Sequence, residues 1–377
     1  MAQALDAAWS RSLESAESRG QLGIAHAERR VADAWLAGAP ALEMSQRQGR
    51  GSAAAGARET EIGLQLPLWR PGQRQLGAQA AQVEQDWALA AERAARWRLL
   101  GQLRELSGGL RAAQTDVAVA DSQTQLLQQL SLDVARRVQA GDLAPADALA
   151  AKAEWLAARS LLAEAEQNLL ALRSTWQLLT GFHVEPAAEA LLAPQDGAQA
   201  TEHPALLLAD LSVERARQRV ALGKAQRGAP PELGISMRQE QPGQGQSAQS
   251  SVALSLRLPL GSEPPQQTQQ LAAALAEQEL ALATVQRSRL QIEGEQALAR
   301  AREQSAAAQA AAERERASLL RERARLLDKS FKLGETSLPD LLRALGAATQ
   351  AESAAERQAT AHALAQARVK QTLGLFP

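Results

Sequence analysis

The sequence predicts a mainly α-helical chain made of two tandem repeats, each joining a very long antiparallel helical hairpin to a short β-hairpin. Three observations predict it. The 377 residues contain two proline-free intervals of equal length, Pro71 to Pro145 and Pro265 to Pro339, each 74 positions apart. A helix interior rarely tolerates proline, so each interval has room for one uninterrupted helix. Leu64-Gln65-Leu66-Pro67-Leu68 recurs as Leu256-Arg257-Leu258-Pro259-Leu260, an offset of 192 (259 − 67). Hydrophobic residues make up 45% of the chain but aromatics only 3%, so the apolar share is mostly Ala and Leu, both strong helix formers.

The first long interval carries a helical stripe: Val83, Trp87, Ala90, Ala94, Trp97, Leu100, Leu103, Leu106 and Leu110 follow at mostly three- and four-residue steps. In the second, Leu271, Leu275, Leu282, Val285 and Ile292 begin a similar stripe. At 1.5 Å per residue, a helix of about 70 residues extends on the order of 100 Å, so such stripes need partner helices. The Glu/Arg-rich stretch from Glu293 to Arg325 reads as a solvated coiled-coil face. Gly108-Gly109 is expected to weaken the first helix and mark a bend.

Each interval ends in a matching turn. Gly141-Asp142, followed by Asp147 and Leu149, recurs as Gly334-Glu335, followed by Asp340 and Leu342, at an offset of 193 (340 − 147). Gly181 maps to Gly374 by the same offset, and Gly38-Ala39-Pro40 to Gly228-Ala229-Pro230 by 190. One structural unit is therefore read as duplicated. The first repeat, 1–190, runs helix, β-hairpin at about 41–69, long helix, turn at about 139–146 and returning helix. The second, 191–377, repeats that order with a β-hairpin at about 232–260 and a turn at about 332–339.

The extended segments alternate with period two. Thr60, Ile62, Leu64, Leu66 and Leu68 share one face against Glu61, Gly63, Gln65 and Pro67; Val252, Leu254, Leu256, Leu258 and Leu260 face away from Ser251, Ser255 and Arg257. Weaker strands precede them at Ala41 to Gln48 and Leu233 to Gln239, with loops Gly49 to Arg58 and Glu240 to Ser250. Strands of roughly nine residues match what crosses a bilayer when tilted. Nearly everything else is long helix, leaving no sequence for a soluble core against these apolar faces, so lipid is the expected contact. Open strand edges are not tolerated in lipid, and four strands cannot close a barrel. Other copies of the chain must complete it, and three copies supply twelve strands.

Other functions are excluded or left without support. With 41 basic and 42 acidic residues the net charge is −1, which removes the electrostatic case for nucleic-acid binding. The absence of cysteine excludes disulfides and thiolate chemistry. No run approaches the roughly 18 apolar residues of a membrane-spanning helix, and Met1-Ala2-Gln3-Ala4-Leu5-Asp6 does not read as a signal peptide, so an export signal is not expected within this chain. His26, His183, His203 and His362 are dispersed, which argues against a metal site, and no nucleophile elbow, phosphate loop or dinucleotide motif appears. No enzyme activity and no cofactor are expected.

The duplicated unit, the paired Leu-x-Leu-Pro-Leu strands and the turns Arg137-Val138-Gln139-Ala140-Gly141-Asp142-Leu143-Ala144 and Lys332-Leu333-Gly334-Glu335-Thr336-Ser337-Leu338 resemble the outer-membrane factor (TolC-like) family of tripartite efflux systems, from Leu5 to Gly374. Arg227-Gly228-Ala229-Pro230-Pro231-Glu232-Leu233, with Arg257-Leu258-Pro259-Leu260-Gly261, is similar to its cobalt-zinc-cadmium, heavy-metal efflux branch. The resemblance implies a homotrimer with a β-barrel in outer-membrane lipid and an α-helical barrel reaching through the periplasm. It implies a passive export conduit, served by a periplasmic adaptor (membrane fusion) protein and an inner-membrane pump. Gly141, Asp142, Leu143, Gly334, Glu335 and Ser337 would form the periplasmic tip that meets the adaptor, and Asp147 and Asp340 would line the pore.

Two departures accompany this resemblance. Arg343, one helical turn after Asp340, is placed to pair with it and cancel the charge of an acidic ring. Only Trp69 stands near a strand end as a candidate for an aromatic girdle. Simpler roles exist for the same residues: Asp147 and Asp340 suit the first turn of a helix, as do Pro145 and Pro339, and Ser337 suits an N-cap. The alternative function is a periplasmic coiled-coil adaptor or scaffold that spans no membrane.

Overall fold

The computed structural model describes residues 1–49, 57–184, 203–225, 228–242, 247–259 and 265–377. In chain order the elements are α1 (Ala2–Arg11), α2 (Leu13–Asp33), β1 (Ala41–Gln48), β2 (Arg58–Pro67), α3 (Gln73–Ala140), α4 (Pro145–Thr180), α5 (Pro204–Ala225), β3 (Glu232–Gln241), β4 (Gln249–Arg257), α6 (Pro265–Lys332) and α7 (Leu338–Thr372). The fold is mainly α, with two long antiparallel helical hairpins and one small sheet. Both α3 and α6 are 68 residues long, as the equal proline-free intervals require. Arg227, Leu260 and Gly261, and the division between the repeats at 190/191, lie outside the described residues.

The chain forms two compact units, and each draws on both halves of the sequence. One comprises Met1–Ser15, Arg93–Ala205 and Arg289–Pro377; the other comprises Ala16–Glu92 and Leu206–Ser288. Sequence repeats and spatial units are thus different divisions of this chain.

The second unit holds the sheet, four antiparallel strands in the order β1-β2-β3-β4. β2 begins two residues before its expected start, and Leu258 lies beyond the end of β4. Beside the sheet's helices, Trp69 donates its indole N–H to the Ala34 carbonyl at 2.9 Å. The helical part of this unit is tied by charge as well as by the small cluster of Ala209, Val213 and Val285. Glu84 is buried and accepts from Arg215 Nε and Nη2 at 2.5 and 2.6 Å, while the Arg215 guanidinium lies 3.9 Å from the Trp87 ring centre. Such bidentate, ring-backed geometry is what arginine provides and lysine does not. Nearby, desolvation, followed by the charge of Glu84, raises the carboxyl pKa of Glu28.

In the first unit, α1 packs on α3 and α4 through Ala4, Leu5, Ala8 and Trp9 against Leu99, Leu100, Leu103, Leu169 and the fully buried Trp176. The expected single opening helix is interrupted: Ser12 is extended (ψ 151°), and its hydroxyl accepts from Ser15 N–H at 3.1 Å, capping α2. α3, by contrast, continues as helix through Gly108-Gly109. Gly108 serves close packing there, because a Cβ at this position would stand 2.9 Å from Leu364 Cδ1 of α7. On α6 the buried positions Ile292, Ala299, Ala310, Ala317, Ala324 and Phe331 repeat every seven residues except for one eleven-residue step. That step is a stutter, which locally unwinds a coiled coil.

Candidate functional site

The sheet is one part of the site. Its pairing aligns Met44, Ile62, Met237 and Val252 in one row and Leu42, Leu64, Ile235 and Leu254 in the next, with Leu66, Leu233 and Leu256 beyond. Because side chains alternate along strands, these rows share one face across all four strands. The face is open: Leu42 is 74% exposed, Val252 76% and Leu254 73%. The opposite face is polar and internally paired. Glu59 meets Arg238 at 2.9 Å and Arg47 at 3.9 Å, and Glu232 meets Arg257 at 3.3 Å. β1 and β4 are the sheet's edges, so two rows of backbone donors and acceptors have no strand partner among the described residues.

The two turns are the other part, and both lie in the first unit. Gly141 and Gly334 adopt left-handed backbone, with φ of 88° and 82°. In each, the residue after Gly donates to the carbonyl five positions back: Asp142 to Arg137 at 2.9 Å and Glu335 to Ser330 at 3.0 Å. Gly itself donates three back, to Val138 and to Phe331, which completes a Schellman motif in both. Glycine is required here because a Cβ in this conformation meets the following carbonyl.

The returning helices are capped differently. In α7, Ser337 Oγ accepts from Asp340 N–H at 3.4 Å and donates to Asp340 Oδ2 at 2.5 Å. In α4 the cap position is Ala144, which has no side-chain acceptor; only the reciprocal bond forms, from Ala144 N–H to Asp147 Oδ2 at 3.2 Å. Asp147 and Asp340 therefore both occupy the third position of their helix, where a carboxylate also suits the dipole. Arg343 Nη2 meets Asp340 Oδ1 at 2.6 Å. The Ser337 hydroxyl and then Arg343 hold the Asp340 carboxyl below its ordinary pKa.

One cluster gathers the turns. Val134, Ala151, Phe331, Leu338 and Leu341 are buried together, with Leu143 packed against them. Arg137 bridges the hairpins, its guanidinium 5.1 Å from the Phe331 ring centre and one Nη donating to the Phe331 carbonyl at 3.5 Å. Gly141, Asp142, Gly334, Glu335 and Ser337 are exposed, whereas Leu143 is half-buried in this cluster. The sequence reading passed over Leu333, which is 76% exposed beside Gly334, and the Arg137–Phe331 bridge. An apolar residue directly before a turn glycine was the available signal for the first. Nothing local marks the second, because its partners are 194 positions apart. Among the described residues there is no group of three or more metal-ligating side chains and no helix long and apolar enough to cross a membrane.

Comparison with solved structures gives the same fold over almost the whole chain. The outer membrane protein VceC from Vibrio cholerae matches with a TM-score of 0.78 and 16% identity, covering 98% of this chain and 95% of that one. The CmeC outer membrane channel of Campylobacter jejuni matches at 0.77 and 14%, covering 98% and 84%. The open state of the MtrE outer membrane channel of Neisseria gonorrhoeae matches at 0.75 and 18%, covering 98% and 88%. No family model and no curated protein matches the sequence.

Proposed function

We propose that this chain is one of three identical subunits of an outer-membrane channel, a passive export conduit in a tripartite efflux system. The observation that carries the proposal is the four-stranded sheet with one face that carries three apolar rows and is open, and two edges without a strand partner among the described residues. An open sheet of this kind is stable in lipid only when neighbouring copies close it, and twelve strands make a closed barrel. The polar, ion-paired face then lines water. The shared fold with outer-membrane channels supports the same reading, and 1–190 and 191–377 are then duplicated halves of one protomer.

The turns around Gly141 and Gly334 form the periplasmic end. There Asp142, Leu143, Glu335 and Ser337 meet an adaptor protein, which connects the channel to an inner-membrane pump. Asp147 and Asp340 face the pore, the latter charge-paired with Arg343. The chain performs no chemistry and needs no cofactor; partners supply energy and selectivity. The cargo we assign is heavy-metal cations, on the sequence resemblance of Arg227 to Leu233 and Arg257 to Gly261.

The test is expression behind an export signal in a bacterium lacking its own channel. The expected result is a protein extracted from outer membranes only by detergent, as three copies, that conducts ions across a planar bilayer. Together with a matching adaptor and pump it restores metal tolerance. Recovery as a water-soluble monomer would instead support the scaffold reading.

A further inference from the structure

Three helices of the first unit, α3, α6 and α7, border an open cleft of about 440 Å³. α7 is tied to both of the others. Glu105 of α3 meets Arg368 at 2.7 Å and Asp116 meets Arg357 at 3.0 Å, while Glu303 of α6 meets His362 at 3.1 Å and Gln296 Nε2 donates to the Thr372 carbonyl at 3.0 Å. The cleft exists because the side chains that face it are small: Gly101 of α3, Ala299 and Ala306 of α6, and Ala361, Ala365 and Ala367 of α7. Ala299 and Ala306 are seven apart and Ala361 and Ala365 four, so each pair shares one face of its helix. The polar ties hold the helices at a fixed spacing, and the space between them is formed in advance, as ligand pockets usually are.

The lining joins this apolar surface, completed by Leu364, to cationic groups. Arg104, Arg302 and Arg368 bring three positive charges against the one negative charge of Glu105, which is already paired with Arg368. Arg104 is buried, and its Nη1 donates to Gln371 Oε1 at 2.7 Å and to the Leu375 carbonyl at 3.2 Å. Both of these acceptors are neutral, so they orient the guanidinium without offsetting its charge. Gln371 is buried and fixed in turn: its Nε2 donates to the Trp97 carbonyl at 2.8 Å, and the Trp97 indole N–H donates to the Gln371 carbonyl at 2.9 Å. Gly101 makes room for it, since a Cβ there would stand 3.0 Å from Gln371 Nε2. Arg302 is exposed on α6 and has no ion-pair partner among the described residues. An anionic head group on an apolar body complements both parts of this lining, because it meets guanidinium groups in charge-assisted hydrogen bonds and takes the alanine and leucine surface out of water.

We propose that this cleft binds an anionic amphiphile, a monocarboxylate whose head group is met by Arg302 and Arg104 and whose alkyl body lies along Ala361, Leu364 and Ala365. At roughly 30 Å³ for each water-sized group, the volume holds a body of about a dozen carbon atoms. The surplus positive charge has the wrong sign for metal cations, so the occupant is not the cargo assigned above. None of these residues belongs to the turns or to the acids proposed for the pore, and the site depends neither on that cargo nor on the number of copies.

The test is photolabelling of the full-length protein, kept in a neutral detergent, with a dodecanoate that carries a diazirine near its chain end; labelled peptides are mapped by mass spectrometry. The expected result is labelling concentrated in 101–105, 299–306 and 361–371, displaced by excess dodecanoate but not by dodecyltrimethylammonium, which has the same chain and the opposite charge. Dispersed labelling, or equal displacement by the cation, would overturn the site. Arg302→Glu changes an exposed residue and should raise the probe concentration for half-maximal labelling about tenfold, with helicity unchanged. Ala365→Phe fills the cleft while keeping its charges and should abolish labelling there. An unaltered labelling curve in either variant would also overturn the site. Conductance of the unlabelled protein reports separately on the channel reading, so the two can fail independently.

Discussion

Arg343 Nη2 stands 2.6 Å from Asp340 Oδ1, one helical turn along α7, so the acid proposed to line the pore is charge-paired within its own helix. Both side chains are exposed, and an ion pair of this kind contributes little to stability. Its consequence is electrostatic: it removes charge from the region proposed to line the pore.

Replacing Arg343 with Ala should therefore increase the preference for cations, read as a shifted reversal potential under a salt gradient in planar bilayers. The shift should shrink as ionic strength rises, because screening shortens the reach of the exposed carboxylate. An unchanged reversal potential would place Asp340 away from the ion path.

At the turns, Gly141→Val or Gly334→Val forces a β-branched residue into left-handed backbone, at about 1–2 kcal/mol for each site. The expected outcome is intact assembly on gel filtration with impaired adaptor binding in a pull-down, because the strain falls on the exposed end. Normal adaptor binding by both variants would remove the turns from the contact.

The Glu84–Arg215 pair makes a stability prediction. Glu84→Gln leaves the Arg215 guanidinium in a partly desolvated place without its carboxylate, which should cost about 3 kcal/mol in chemical denaturation. Combining it with Arg215→Met should cost less than the sum of the single changes, since the stranded charge is then gone.

His203 gives a pH dependence. It is buried, lies edge-on to Trp97 with ring centres 4.8 Å apart, and its Nδ1 accepts from Ala205 N–H at 3.2 Å. Desolvation lowers its pKa below 6.5, while Glu295 opposes the shift. A depressed histidine favours the neutral form on folding, so its contribution is complete above the unfolded pKa and is lost as pH falls through 6.5 toward the folded value. Thermal midpoints measured from pH 7.5 to 5 should decline more steeply in the parent than in His203→Asn, which retains a capping acceptor.

Much of the fold is legible because its determinants are local. Proline placement bounds α3 and α6, period-two alternation marks β2 and β4, and Gly141 and Gly334 announce their turns through a backbone conformation glycine tolerates best. The bend expected at Gly108 is a different case. Glycine in a helix reads alike whether it weakens the helix or admits a neighbour, and only the position of Leu364 distinguishes the two. Ser12 posed the same difficulty, since serine continues or caps a helix according to what surrounds it.

The sequence by itself determined the helices, strands and turns and their duplication, because these follow from the conformational preferences and hydrophobic periods of adjacent residues. Tertiary structure decided that the strands of both halves join in one sheet through β2 and β3, and that Arg137 reaches Phe331. These relations depend on which distant surfaces exclude water together, and no short stretch of sequence contains that information.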